Sequence, residues 1–266
     1  MKETFQGTLD VCLTWDKSGE HTLIFAPDSQ GSVYIQIAGE AMQLSINLIA
    51  QENCQVHVWF DVRTQISLQD QIHVHAYRYA NIHVSLLDIE AIAAKHALCG
   101  DFDSPDAQIE FHTATLAAAD KCWRMEILHE HPRTSGLMEN YCVVEEGAAC
   151  DIEAIGNIKK GAHDSVSHQK SRVLTMSKKH DAQVTPILYI DENAVKASHA
   201  MTIGQPDAEQ LYYLQTRGLN KEMALGLLSI GYFLPIVEQI ANSTRREEIK
   251  CRVEEKVGLY GHREHS

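Results

Sequence analysis

Proline is scarce, at six residues in 266, and no window approaches the ~18 consecutive apolar residues of a membrane-spanning helix. The opening MKETFQGTLD is too polar for the apolar region of a secretory signal. These absences predict a soluble chain without a membrane partner. The seven cysteines (12, 54, 99, 122, 142, 150 and 251) are odd in number, irregularly spaced and contain no CxxC pair, which argues against a disulfide framework. Reduced thiols in the cytoplasm are expected. Lys and Arg total 23 against 36 Asp and Glu, giving a net charge of -13, and no basic run is interleaved with aromatics, so nucleic acid is excluded as a partner. There is no GxxxxGK[ST] loop, no GxGxxG opening a helix, no HExxH and no nucleophile elbow. The chain is therefore not expected to be an enzyme, and nucleotide chemistry must come from a partner.

What is present is alternation. From about residue 33 to residue 204 the dominant period is two, as in Val33, Ile35 and Ile37, then Leu44, Ile46 and Leu48, then Val56, Val58, Phe60 and Val62. Several strands begin after similar polar and small steps, among them Glu52-Asn53-Cys54, Ala80-Asn81-Ile82, Asp106-Ala107-Gln108, Asp120-Lys121-Cys122 and Asp181-Ala182-Gln183. Their spacing falls near 27 residues, about half that or a little more, a blurred internal repeat. Strands without intervening amphipathic helices favour a β-solenoid over a sandwich, and a jelly roll fits the alternation almost as well.

After Gly204 the period becomes 3.6. Asp207 and Gln210 read as a capping box opening AEQLYYLQTR, which Gly218 stops; Asn220 caps KEMALGLLSIGYFLPIVEQIA, which Pro235 is expected to kink or divide. A charged third helix, STRREEIKCRVEEKV, ends at Gly258. The predicted organisation is a mainly β core over 1–204 and a helical subdomain over 205–266.

Fifteen histidines invite a search for metal ligands. His73 and His75 share one face of a strand, which reads as a solvated face. Cys142 and Cys150 flank a Glu145-Glu146-Gly147 turn and could converge on iron or zinc, but read better as small buried hydrophobes. His112, His129, His131 and His163 are possible general bases with no nucleophile to serve. His199 stands where the last strand turns toward the first helix, and its ordinary reading is a hydrogen-bonded turn histidine.

Val195 to Gly218, VKASHAMTIGQPDAEQLYYLQTRG, resembles the carboxyl-terminal signature of the SufB/SufD family: a histidine- or glutamate-bearing turn, a T-x-G step, then EQLxYLxxRG. Upstream, GAHDSVSHQKSRVLTMSKKHDAQVTPILYID resembles that family's preceding strands. The resemblance implies a right-handed parallel β-helix with a carboxyl-terminal α-helical subdomain that docks an ABC-type ATPase, SufC. It also implies that two β-helix subunits pair to assemble or deliver iron-sulfur clusters. D-type members carry a histidine where His199 stands, so His199 is implied as an iron or cluster ligand at the subunit interface, and Gln210, Tyr213, Leu214 and Arg217 as ATPase contacts. Ala197 replaces the D-type cysteine two residues earlier, and Ser171 falls where B-type members carry a strand cysteine. No tightly bound cofactor is implied, only a transient cluster in the complex. Relative to the family the sequence is short, lacking most of an amino-terminal helical region, which suggests a compact member pairing with itself or with a second SufB/SufD-type subunit. Two rival readings are a carbohydrate-active β-helix enzyme and a structural β-solenoid homodimer.

Overall fold

In a computed structural model describing residues 1–40 and 42–258, strands run from Lys2 to Gly204 and helices follow. The strands are β1 (Lys2–Phe5), β2 (Thr8–Trp15), β3 (Gly19–Phe25), β4 (Gln30–Ile37), β5 (Gln43–Ala50), β6 (Gln55–Val62), β7 (Leu68–Ala76) and β8 (Asn81–Asp88). They continue as β9 (Ala94–Phe102), β10 (Gln108–Ala117), β11 (Lys121–His129), β12 (Ser135–Val144), β13 (Ala149–Ile158), β14 (Val166–Thr175), β15 (Asp181–Ile190) and β16 (Lys196–Gly204). Odd strands form one eight-stranded sheet and even strands another, and every pairing is parallel. This is a β-solenoid with two strands per coil, which decides against the jelly roll, whose strands run antiparallel.

The blurred repeat is the coil length. Gln55 pairs with Asn81, Asn81 with Gln108 and Gln108 with Ser135, so one coil takes 26 or 27 residues; Ser135 to Val166 takes 31. One corner of each coil uses a left-handed residue, and these stack as Asp28, Asn53, Tyr79, Asp106, Arg133 and Asp164, all with φ near +60°. Asn and Asp tolerate that conformation best. The next residue turns inward and is small: Ser29, Cys54, Ala80, Ala107, Thr134 and Ser165 are all buried. The steps at Asn53-Cys54, Ala80-Asn81 and Asp106-Ala107 mark such corners, whereas those at Asp120-Lys121 and Asp181-Ala182 mark the starts of the odd strands β11 and β15. Strands also occupy residues 2–25, ahead of the clear alternation, because the first coils leave alternate positions half-exposed and carry polar residues there.

Alternation puts one residue set inside and the other outside. Inward rows such as Val33–Val58–Val84–Phe111–Met138 stack coil on coil and are fully buried. Each such side chain contributes about 1.5–3 kcal/mol of burial free energy, and the rows share one continuous core.

The helices are α1 (Ala208–Thr216), α2 (Lys221–Val237) and α3 (Ser243–Lys256), and none is long and apolar enough to cross a membrane. Asp207 caps α1 by accepting from the Glu209 and Gln210 amides, and Asn220 caps α2 through the Met223 amide. Pro235 does not divide α2, which runs unbroken to Val237. It sits in the last turn, where its missing N–H sacrifices one hydrogen bond. α2 and α3 fold back over the outer face of the even sheet: Phe233, Ile236, Val237, Ile249 and Val253 form a second core with Tyr34, Trp59, Leu87, Tyr141 and Val143. Arg252 donates to both oxygens of buried Asp61 at 2.8 and 2.6 Å, and Lys256 pairs with Glu90 at 2.6 Å, so α3 is anchored to early coils.

Candidate functional site

Among the described residues, the carboxyl-terminal end of the solenoid is open. β15 and β16 are the last strands of their sheets, so residues that in earlier coils would be covered stand exposed. His199 pairs with Gln169 and continues the inward row that runs through Val33 and Met138. It lies in mid-strand, not at a turn as its surroundings in the sequence suggest. The Ala, Ser and His of KASHAMTIG have little strand propensity of their own, and β14 imposes the conformation by backbone pairing. On the same inward face stand Ala197, Met201 (47% exposed) and Ile203 (40% exposed). Ser171, one coil below, pairs with Met201, so it and His199 occupy adjacent rows at this end.

Below the open end the interior becomes polar. Thr113 donates to Asn140 at 2.9 Å, and the Asn140 amide donates to Ser171 at 3.1 Å. Gln169 donates to the Ile187 carbonyl at 2.8 Å. Where earlier coils carry Ile35, Phe60 and Leu86 in one row, and Val33, Val58, Val84, Phe111 and Met138 in the next, later coils carry Thr, Asn and Ser in the first row and Gln in the second.

A second buried feature lies at the other corner. Asp88 sits between Lys121 (Oδ2–Nζ 2.5 Å) and His96 (3.1 Å), and the other His96 nitrogen contacts Asp70 at 2.5 Å. All four side chains are fully inaccessible. Burial disfavours the His96 imidazolium, but the two carboxylates outweigh it and raise its pKa to about 9. Cys150, paired with Lys121, lies with its sulfur 3.3 Å from that of Cys142. Both cysteines are buried, as expected, and they also touch. That contact and burial push the Cys142 thiol well above its usual range, so it stays protonated at neutral pH. All seven cysteines are free thiols.

Among the other histidines, His75 pairs with Asp103 at 3.0 Å on an outer face; His129 is buried beside Thr134, and burial lowers its pKa to about 4. The His163 ring lies 3.0 Å from the adjacent Asp164 carboxylate, and the His163 carbonyl accepts from the Arg133 amide at 2.9 Å.

Gln210, Tyr213 and Arg217 stand exposed on or beside α1, and Leu214 is half-buried. α1 has no buried residue, and Arg217 lies over the Tyr213 ring at 5.0 Å. His199 is therefore on the inward face of the last strand, and the other four lie on or beside the helix after it. The exposure of the final coil is not legible in the sequence, because alternation looks the same whether or not another coil follows.

Residues 16–232 match the family model described as "SUF system FeS cluster assembly, SufBD core domain". The chain is 35% identical over 132 residues to the iron-sulfur cluster assembly protein SufD of Bacillus subtilis, covering 50% of this chain and 30% of that protein. It is 28% identical over 214 residues to an iron-sulfur cluster assembly SufBD family protein of Synechocystis, covering 76% and 46%. To SufD of Escherichia coli it is 23% identical over 115 residues, covering 43% and 27%. Each match spans less than half of the relative's own length. The family match spans most of the parallel solenoid and reaches through α1 into α2, and on that evidence the chain belongs to the SufBD family of SUF-system iron-sulfur cluster assembly proteins.

Proposed function

We propose that this chain is a D-type scaffold subunit of a SUF assembly complex, pairing through its open solenoid end with a second SufB/SufD-type subunit or a copy of itself. The observation that carries this is the last coil, whose inward face presents His199 beside exposed Met201 and Ile203. An apolar, unpaired strand edge is a surface that proteins ordinarily cover. A partner seated there would place His199 at the interface, where a neutral imidazole nitrogen is a fitting ligand for iron delivered as cargo. Ser171 and Ala197 offer no thiolate, so further ligands would come from the partner.

α1 is the proposed docking element for a SufC-type ABC ATPase. Its lack of buried residues, with Tyr212 70% and Tyr213 55% exposed, supports that role. ATP-driven movement of the ATPase would act on the paired solenoids only through different affinities for their two arrangements. The double substitution Tyr213→Ala and Arg217→Glu removes an aromatic anchor and reverses a charge on an exposed helix. The expected result is loss of ATPase co-purification with thermal unfolding unchanged. A complex that survives the double substitution would contradict the docking assignment.

A further inference from the structure

The outer face of the even sheet carries a histidine and carboxylate cluster separate from the open end. In-register stacking creates it: His57 pairs with His83, His83 with Glu110, and His112 follows two residues along β10, so the four share one face. Neighbouring strands lie about 4.8 Å apart, within side-chain reach. Glu110 Oε2 lies 2.9 Å from His112 Nε2 and 3.5 Å from His83 Nδ1. One ligand atom from each of His83, Glu110 and His112 falls within 4.8 Å of the other two. Ligand atoms around a tetrahedral zinc ion lie roughly 3.4 Å apart, so small side-chain rotations would close the set.

A second observation is independent of that convergence. His112 is 4% exposed, and among the described residues its buried Nδ1 makes no hydrogen bond of good geometry. Glu139, its cross-strand neighbour, holds an oxygen 3.5 Å from that nitrogen. Metal-bound histidines characteristically donate their other N–H to a carboxylate, which fixes the tautomer and turns the remaining nitrogen to the ion. Here Nε2 faces Glu110 and His83 while Nδ1 faces Glu139. Lys170 donates to the other Glu139 oxygen at 3.1 Å and holds that carboxylate in place. Solvent reaches the cluster through a cleft of ≈ 570 Å³ between the sheet and the α2–α3 connection, lined by His57, His83 and Asn242 among others.

We propose that His83, Glu110 and His112 bind a divalent transition-metal cation of the zinc or cobalt type, with Glu139 positioning His112. Three protein ligands leave coordination positions open for water or an exogenous group. Imidazole and carboxylate groups bind a metal only when deprotonated, so affinity is expected to rise with pH.

The test uses the full chain, stripped with chelator and kept reduced, and titrated with Co2+. One equivalent is expected to bind with an absorption spectrum of nitrogen and oxygen ligands, without the thiolate charge-transfer band that the cysteines would give. His83→Ala and His112→Ala should each abolish this event, His199→Ala should leave it intact, and Glu139→Gln should weaken it by roughly 10- to 100-fold. In the unsubstituted chain Zn2+ should raise the melting temperature and chelator should reverse the rise, a readout that needs no variant. Absence of binding, or binding that survives both histidine substitutions, would overturn the proposal. The test involves neither the ATPase nor a second subunit, so its outcome is independent of the scaffold reading.

Discussion

Replacing Asp88 with alanine is expected to cost about 3–5 kcal/mol, the usual penalty for leaving a buried charge without its partner. Asp88 is fully buried and holds the ammonium of Lys121, which also donates to the Glu90 carbonyl at 2.9 Å. It is also one of two carboxylates around His96. The variant therefore leaves one buried cation without a carboxylate and removes half the support of another. Chemical denaturation should show an earlier midpoint, and hydrogen exchange should show lost protection first in β8, β9 and β11, the strands that contribute these groups.

The same network gives stability a pH signature. The folded-state pKa of His96 is raised to about 9, so its contribution is complete below the unfolded value of about 6.5 and is lost as pH rises through about 9. His57 and His129 work in the opposite sense. Burial, helped at His57 by the neighbouring His83, lowers them to about 3 and about 4, so the unfolded chain takes up protons first and stability falls as pH drops below about 6.5. Asp88 adds to the acid limb, because His96 and Lys121 outweigh its burial and hold it below the usual carboxylate range. Stability should peak near pH 6.5 and decline on both sides, measured by denaturation at about pH 5, 6.5 and 8.5. Asp88→Ala should flatten the alkaline limb. A monotonic profile would contradict the assignment of these histidines.

The second large effect concerns the open end. Lysines at Met201 and Ile203 would place two charges in the proposed pairing surface, weakening association by at least about 2 kcal/mol, roughly 30-fold. Both side chains are 40% or more exposed in the lone chain, so its own unfolding midpoint should barely move. Sedimentation of the complex should show dissociation; unchanged pairing would mean that the subunits meet elsewhere.

Much of this architecture is legible in the sequence because a solenoid repeats a local rule. Val33, Ile35 and Ile37 alternate as inward residues must, and Asn53 and Asp106 mark corners where left-handed backbone favours their type. The caps Asp207 and Asn220 are equally local. Contacts set by register are not legible. Nothing in the sequence separately says that His83 lands beside Glu110, 27 positions on, until the coil length is known. Arg252 gives no hint of reaching Asp61, because that pairing depends on where α3 folds back. The sequence around His199 suggested a turn because Ala and Ser dilute the alternation, and only pairing with β14 reveals a strand.

The most direct test of the scaffold reading is co-expression of this chain with a SufC-type ATPase and a SufB/SufD-type partner, anaerobic purification, and analysis for iron and acid-labile sulfide. Measuring sulfide separates a cluster held as cargo from a single cation on His83, Glu110 and His112. The account predicts a stable complex containing both iron and sulfide, with His199→Ala retaining the ATPase but losing most of the iron. Failure to form a complex, or a His199→Ala complex with undiminished iron and sulfide, would contradict it.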